Sequence, residues 1–434
     1  MQRKYSVATI IISVIIAMFI TFEATYLLCE WRNRLDYRDL SESYNSSIDE
    51  IDELYREEIE HLVAEIEALR GTYSDNEVLA KLALIDYLYR SLYVHEGADS
   101  ETLQTFLADT YIYAMGDKYA HYYTKEEYEE LTKQNGGSLV GIGVQVIYDA
   151  KNGGIDILLV MEDSPALEAG LKKGDLITHV DGEKVTDLGY ENAVAKIKGE
   201  SGTKVNVTVL REGKEIKFEI VRRAVESQSV IYHKFALDEK IGVIKILEFN
   251  SLTPKQFKKA VKSLLDDGAE SLVFDMRDNP GGLLDAVVEM LDYLLPAGDI
   301  VHIVKGNGEL DRTYKSDAAC VNVPMAVLTN ENTASAAELF TSSLKDYDKV
   351  TIIGTKTYGK GTVQSIIPLG DGTAISISTY MYNPPKSENY EGKGITPDIV
   401  VEPNEILKNK HILKVEDSED NQLVEACRQL GYEK

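Results

Sequence analysis

Three residues of this chain have types and spacing that could do chemistry together: Ser335, Lys360 and Gln364. A serine hydroxyl is a weak nucleophile until a base takes its proton, and a neutral lysine can be that base as well as a histidine can. An unperturbed lysine has a pKa of about 10.4, so half neutrality near pH 7 needs a shift of roughly three units, about 4–5 kcal/mol. Burial away from water supplies shifts of that order. Gly359 and Gly361 let the backbone close in around Lys360, and no carboxylate stands beside it in the sequence. The Gln364 amide, four residues on, could hold the amine by a hydrogen bond without recharging it. Taken singly, Ser335 reads equally as a helix cap and Lys360 as a solvated turn residue.

Positioning these groups falls to two strand–turn units. A buried-strand pattern at 325–328 turns at 329–332 into an apolar helix at 333–340, with Ser335 at its mouth among backbone N–H groups that no helix turn satisfies. A second strand, 350–353, leads into the glycine-rich turn that carries Lys356 and Lys360. Upstream, strand 241–246, helix 254–265, strand 271–274 and helix 283–294 alternate. The turn between the last two, Asp275-Met276-Arg277-Asp278-Asn279-Pro280-Gly281-Gly282, exposes backbone donors, the material of an oxyanion hole. A strand is expected at 373–381 and a helix at 421–430. Residues 138–223 are strand-rich, with turns at Asn152-Gly153-Gly154, Asp181-Gly182 and Glu212-Gly213. Helices are expected at 78–94 and 103–115, and Thr124 with Glu127 caps another.

Composition narrows the class. A chain of 434 residues exceeds one ordinary domain, and 44% hydrophobic residues suffice for a packed core. A net charge of −26 argues against nucleic acid as a partner and against anionic lipid binding through a basic face. Three cysteines, at 29, 320 and 427, make no disulfide framework. The seven histidines are scattered without a helical i, i+4 pair, so neither a zinc site nor any cofactor is implied, and no Gly-x-Ser-x-Gly run surrounds Ser335. Residues 5–22 carry no charge and are long enough, at about 27 Å as a helix, to cross a bilayer. No small-x-small cleavage site follows, which favours an uncleaved signal anchor. Beyond it Ile48, Tyr55, Leu62 and Leu69 recur every seven residues in an acidic helix, which reads either as a coiled coil pairing two copies in a homodimer or as a stalk helix packed on its own domain.

The two catalytic runs, Asn330-Glu331-Asn332-Thr333-Ala334-Ser335-Ala336-Ala337-Glu338 and Lys356-Thr357-Tyr358-Gly359-Lys360-Gly361-Thr362-Val363-Gln364, resemble those of the C-terminal processing peptidases, PDZ-containing Ser–Lys proteases. Asp117-Lys118-Tyr119-Ala120-His121-Tyr122-Tyr123 and Gly392-Lys393-Gly394-Ile395-Thr396-Pro397-Asp398 resemble turns of the same family. The family has proline where Lys118 stands, which predicts a looser turn here, and the tyrosine cluster is read as packing. Gly141-Ile142-Gly143-Val144, Ser164-Pro165-Ala166, Ala169-Gly170-Leu171 and Gly174-Asp175 resemble a PDZ domain, in which a peptide C-terminus adds to the strand after the glycine loop and its carboxylate binds the loop N–H groups.

The resemblance covers about residues 111–402. It implies Ser335 as nucleophile, Lys360 as general base and Gln364 as its orienting partner. It also implies the N–H groups of Gly281 and Ala336 as the oxyanion hole, and Gly141, Ile142, Gly143 and Val144 as the peptide-binding strand. The fold implied is α/β: a crotonase-like, ClpP-like spiral αββ protease core with an inserted β-rich PDZ domain, N-terminal helices and one transmembrane helix. The expected order is anchor 1–30, acidic stalk 31–71, helical region 72–137, PDZ domain 138–224, protease core 225–402 and tail 403–434. The function expected is a serine endopeptidase held at the cell membrane by a single pass, its catalytic body extracytoplasmic, cleaving proteins with exposed C-termini. The rivals are a catalytically silent PDZ adaptor and an enoyl-hydratase-like enzyme, for which no acid–base carboxylate pair is present.

Overall fold

The computed structural model describes residues 77–95, 97–317 and 320–433. The expected anchor at 1–30 and stalk at 31–71 lie outside the described residues. Among the described residues no helix is long and apolar enough to cross a membrane. The chain divides after Thr102 into two compact units. The described part of the first holds helix α1 (Glu77–Leu92), with Arg90 paired to Asp86 at 2.8 Å. Helix α2 (Ser100–Met115) follows.

In the second unit β1 (His121–Tyr123) precedes α3 (Lys125–Asn135), whose capping box is formed by Thr124 and Glu127 as the sequence predicts. The strand-rich segment follows: β2 (Ser138–Gly141), β3 (Val144–Asp149), β4 (Gly154–Val160), α4 (Pro165–Ala169), β5 (Leu176–Val180), β6 (Glu183–Lys184), α5 (Val185–Leu188), α6 (Tyr190–Ile197), β7 (Lys204–Arg211), β8 (Lys214–Val221) and β9 (Arg223–Glu226). Its main sheet runs β3-β4-β5-β7-β8, so β3 is an edge strand, and β2 pairs with β9. Alternation in β7, where Val205, Val207 and Val209 are fully buried or nearly so, closes its core over Ile155, Ile157 and Ile177.

Beyond it come β10 (Val230–Lys234), β11 (Ile241–Ile246), α7 (Thr253–Asp266), β12 (Ser271–Asp275), α8 (Leu284–Leu294), β13 (Gly298–Val304), β14 (Leu310–Ser316), β15 (Met325–Thr329), α9 (Ala336–Asp346), β16 (Val350–Gly354), β17 (Thr362–Pro368), β18 (Ala374–Asn383) and β19 (Ile399–Val400). The tail forms α10 (Glu405–Asn409) and α11 (Asn421–Gln429). A six-stranded sheet runs β10-β11-β12-β15-β16-β19, parallel from β11 onward. Its strands are near-continuous apolar runs, as a sheet covered on both faces requires. Phe257, Val261 and Leu264 of α7, Val287 and Leu291 of α8 and Leu339 and Phe340 of α9 fill one face. Full burial of such a side chain stabilises by about 1.5–3 kcal/mol. Leu423, Ala426 and Cys427 of α11 cover the other.

A second sheet, β1-β18-β13-β14 with β17 on β18, closes the core. Because β1 pairs with β18, the strand-rich domain is an insertion between β1 and the rest of the core. The turn before β1 is pinned rather than loose. Asp117 accepts the Ser378 N–H at 2.8 Å, the Ser378 hydroxyl at 2.9 Å and the Tyr119 N–H at 3.1 Å, while Lys118 pairs with Glu391 at 3.1 Å.

Candidate active site

Ser335 stands between β15 and α9 with φ 56° and ψ −119°, and is 7% exposed. The helix expected from residue 333 therefore begins only at Ala336. A side chain forced to positive φ points sharply out of the strand-to-helix turn, at a cost of order 1–3 kcal/mol that surrounding contacts must offset. Those contacts are present. Thr333, fully buried, donates to the Met276 carbonyl at 2.9 Å, and the Ala334 N–H donates to the Asn279 carbonyl at 3.0 Å. Asn330 and Asn332 donate to the Asp278 carboxylate at 2.8 and 2.9 Å. The turn after β12 is thus braced against the turn bearing Ser335. Gly281, at φ 101°, has room only for hydrogen, since a Cβ there would lie 2.7 Å from the Ser335 Cβ and 3.0 Å from the Ala336 nitrogen.

Glu338, fully buried, joins this turn to the lysine turn. Its carboxylate accepts the Ser335 N–H at 3.0 Å, the Thr357 hydroxyl at 2.5 Å, the Gly359 N–H at 2.8 Å and the Lys360 N–H at 2.8 Å. The nitrogens of Ser335 and Lys360 hang on the same oxygen, Oε2. Burial pushes this carboxyl up, against the hydrogen bonds, which favour the charged form. The sequence shows only the Ser-x-x-Glu spacing of a capping box, which ties Glu338 to Ser335 but not to residues 357–360.

Lys360 is half-buried and its ammonium donates to Gln364 Oε1 at 2.6 Å. Nζ also lies 4.7 Å from the centroid of the Tyr119 ring, and the Gln364 amide donates to the Tyr119 carbonyl. Tyr119 in turn donates to Glu391 at 3.1 Å, and Glu391 accepts the Gly361 N–H at 2.7 Å. Burial pushes the Lys360 amine below the ordinary lysine value, while Glu391 and Asp117 pull it back up. The sequence places no carboxylate beside Lys360. The fold brings in these two from 117 and 391, and it brings Tyr119 out of a cluster read as packing to back the amine. Ser335 Oγ hydrogen-bonds the Tyr382 hydroxyl at 3.2 Å and makes no hydrogen bond with Lys360.

The amides around the expected oxyanion hole differ in their hydrogen bonding. The Gly281 N–H donates to Asn279 Oδ1 at 2.8 Å and is occupied, whereas the next amide, that of Gly282, has no acceptor among the described residues. Ala336, the first residue of α9, likewise has an N–H without an acceptor, at the positive end of the helix.

In the inserted domain Gly141 ends β2 and Val144 opens the edge strand β3. The Ile142 and Gly143 carbonyls accept from Ala166 at 2.8 Å and Met161 at 3.0 Å, while their N–H groups have no acceptor among the described residues. Gly143 has φ 80°, and a Cβ there would strike the Ser164 side chain. Helix α6 flanks β3, with the Tyr190 hydroxyl 3.5 Å from the Val146 carbonyl. Among the described residues no group of three His, Cys, Asp or Glu could hold a metal ion.

Comparison with known proteins adds the family. Residues 240–401 match peptidase family S41 and residues 139–221 match the PDZ domain. A probable CtpA-like serine protease of Staphylococcus saprophyticus is 33% identical over 323 residues, covering 73% of this chain and 65% of the relative. One of Staphylococcus aureus is 32% identical over 352 residues, covering 79% of this chain and 70% of the relative. The crystal structure of an S41 protease from Bacteroides fragilis, 18% identical, superposes with a TM-score of 0.55 over 79% of this chain and 93% of that one, a likeness of fold.

Proposed function

This chain belongs to peptidase family S41, a serine-type peptidase with a PDZ domain, and on that footing we propose that it is a membrane-anchored endopeptidase that works through a Ser335–Lys360 dyad. The observation that carries this reading is the Glu338 carboxylate, which holds the main chain of Ser335 and of Lys360 on one oxygen. The positive φ of Ser335 and the desolvated amine of Lys360 support it.

In the reaction, neutral Lys360 leaves its position beside Gln364, takes the Ser335 proton as the hydroxyl oxygen attacks the peptide carbonyl, and returns that proton to the leaving amine. Gln364 holds the amine between these steps. The negative oxygen is held by the Ala336 N–H and by the Gly282 N–H, in place of the occupied Gly281 amide. The inserted domain takes a substrate C-terminus as an added strand on β3, with its carboxylate on the Ile142 and Gly143 amides. The uncharged stretch at 5–22 anchors the chain, with the catalytic body outside the cytoplasm.

The test is incubation of the full chain in detergent with secreted and envelope proteins, reading new C-termini by mass spectrometry. Ser335→Ala should abolish every new terminus while leaving the fold and peptide binding unchanged. Persistence of the same termini with that variant would exclude Ser335 as nucleophile and leave the adaptor reading.

A further inference from the structure

We infer that Tyr382 is a further catalytic residue, its phenol donating a hydrogen bond to Ser335 Oγ so that the serine proton is left to point at Lys360. The inference rests on Ser335 being the nucleophile.

A hydroxyl oxygen offers two lone pairs and one hydrogen. If the Tyr382 phenol donates along one lone pair, the Ser335 hydrogen cannot be spent on Tyr382 and is available to the base. The two hydroxyls lie 3.2 Å apart, a long hydrogen bond that either oxygen can donate. Tyr382 is fixed for the task. It is 3% exposed and lies in the main core cluster. Its N–H donates to the Gly361 carbonyl at 2.9 Å and its carbonyl accepts from Asn389. It sits on β18, whose partner β17 carries Gln364, so one strand pair supplies both the group that addresses the serine and the group that holds the lysine.

Burial pushes the Tyr382 phenol up, which favours the protonated form able to donate. Other groups that face it do not compete for Oγ. The Glu338 oxygens are taken by four donors, and the Tyr390 hydroxyl, in a side chain 4% exposed, has no partner among the described residues. The balance of the step is simple. The Oγ–H proton goes to Lys360 Nζ, the Oγ–carbon bond forms, and the carbonyl π pair moves onto oxygen. Tyr382 keeps its own proton throughout and stabilises the negative charge that gathers on Oγ before the bond closes.

The test is the rate at which a fluorophosphonate labels Ser335, measured across pH for the full chain and for Tyr382→Phe, which removes one oxygen from the core. The plateau rate should fall about tenfold or more, while the pH midpoint, which belongs to Lys360, stays where it is. Tyr390→Phe, the same deletion at a neighbouring ring not bonded to Oγ, should label at the parent rate. An unchanged or faster plateau for Tyr382→Phe overturns the inference, and so does a midpoint that moves with the plateau, because the ring would then act by shielding the amine. If Tyr382→Phe does not fold, 3,5-difluorotyrosine at 382 replaces it. Its more acidic phenol should add a fall in labelling on the alkaline side, and a profile without that fall refutes the role. Absence of labelling in the parent chain would instead remove Ser335 as nucleophile, a failure distinct from that of Tyr382.

Discussion

At the scale of single residues, the site is held together by a group whose spacing with Ser335 suggests no more than a helix cap. Glu338 gives its two oxygens to three backbone amides and one hydroxyl, in a fully buried position. A carboxylate suits this task because it only accepts. Glu338→Gln would turn a donor toward those amides and leave at least one unsatisfied, at about 1–3 kcal/mol each. The expected outcome is a lower thermal midpoint together with slower cleavage. An unchanged midpoint and full activity would show that the four bonds are not needed. Ser335, Lys360 and Gln364 were legible because each stands in a recognisable run. Tyr382 and Glu391 were not, because they reach the site from distant positions that no local pattern marks, and Tyr119, though it stands in a recognisable run, was read as packing. Gly281 was legible as a turn residue, but that its N–H is consumed by Asn279 is a matter of rotamer that sequence does not carry.

At the scale of elements, strongly apolar segments declared themselves. The strand expected at 241–246 matches β11 end for end, and α7, α8, β12, β15, β16 and α11 fall within a residue of the expected ends. Strands β13, β14 and β17 carried no expectation; β14, Leu-Asp-Arg-Thr-Tyr-Lys-Ser, is made a strand by pairing with β13 rather than by propensity, while β17 emerges from the glycine-rich lysine turn and pairs with β18. The tail helix is fastened by charge as well as by Leu423 and Ala426. Arg277, 2% exposed, donates to Asp275 at 2.7 and 3.0 Å and to Asp420 at 2.7 and 3.0 Å. Burial alone would raise the Asp275 carboxyl, but Arg277 and Lys245 beside it hold it down to about 2. Removing one partner of a buried pair costs about 3–5 kcal/mol. Asp420→Asn should therefore lower the chemical denaturation midpoint and expose the chain near residues 404–420 to proteolysis. Parent-like resistance on both counts would mean that the apolar face of α11 suffices.

At the scale of the whole molecule, the depressed amine of Lys360 is a product of assembly. Burial lowers it beside Tyr119, from before the inserted domain, and Gln364, from β17, while Asp117, also from before that domain, and Glu391, from the turn beyond β18, pull it back up. The insertion is bracketed by β1 and the core sheet, so under the proposed function a peptide seated on β3 would act on a domain whose flanking chain also touches Lys360. Desolvation must lower the amine enough for a neutral fraction to exist at working pH, and protonation must silence it. Activity should accordingly be lost as pH falls through the lowered value and be complete above it.

The most direct measurement is the pH profile of peptide cleavage by the parent chain and by Lys360→Ala, with folding checked by circular dichroism. The account predicts a profile that rises with pH to a midpoint below the ordinary lysine value of about 10.4, and a loss on the order of 10²–10⁴-fold in Lys360→Ala. Cleavage by Lys360→Ala at the parent rate, with the parent profile, would contradict it.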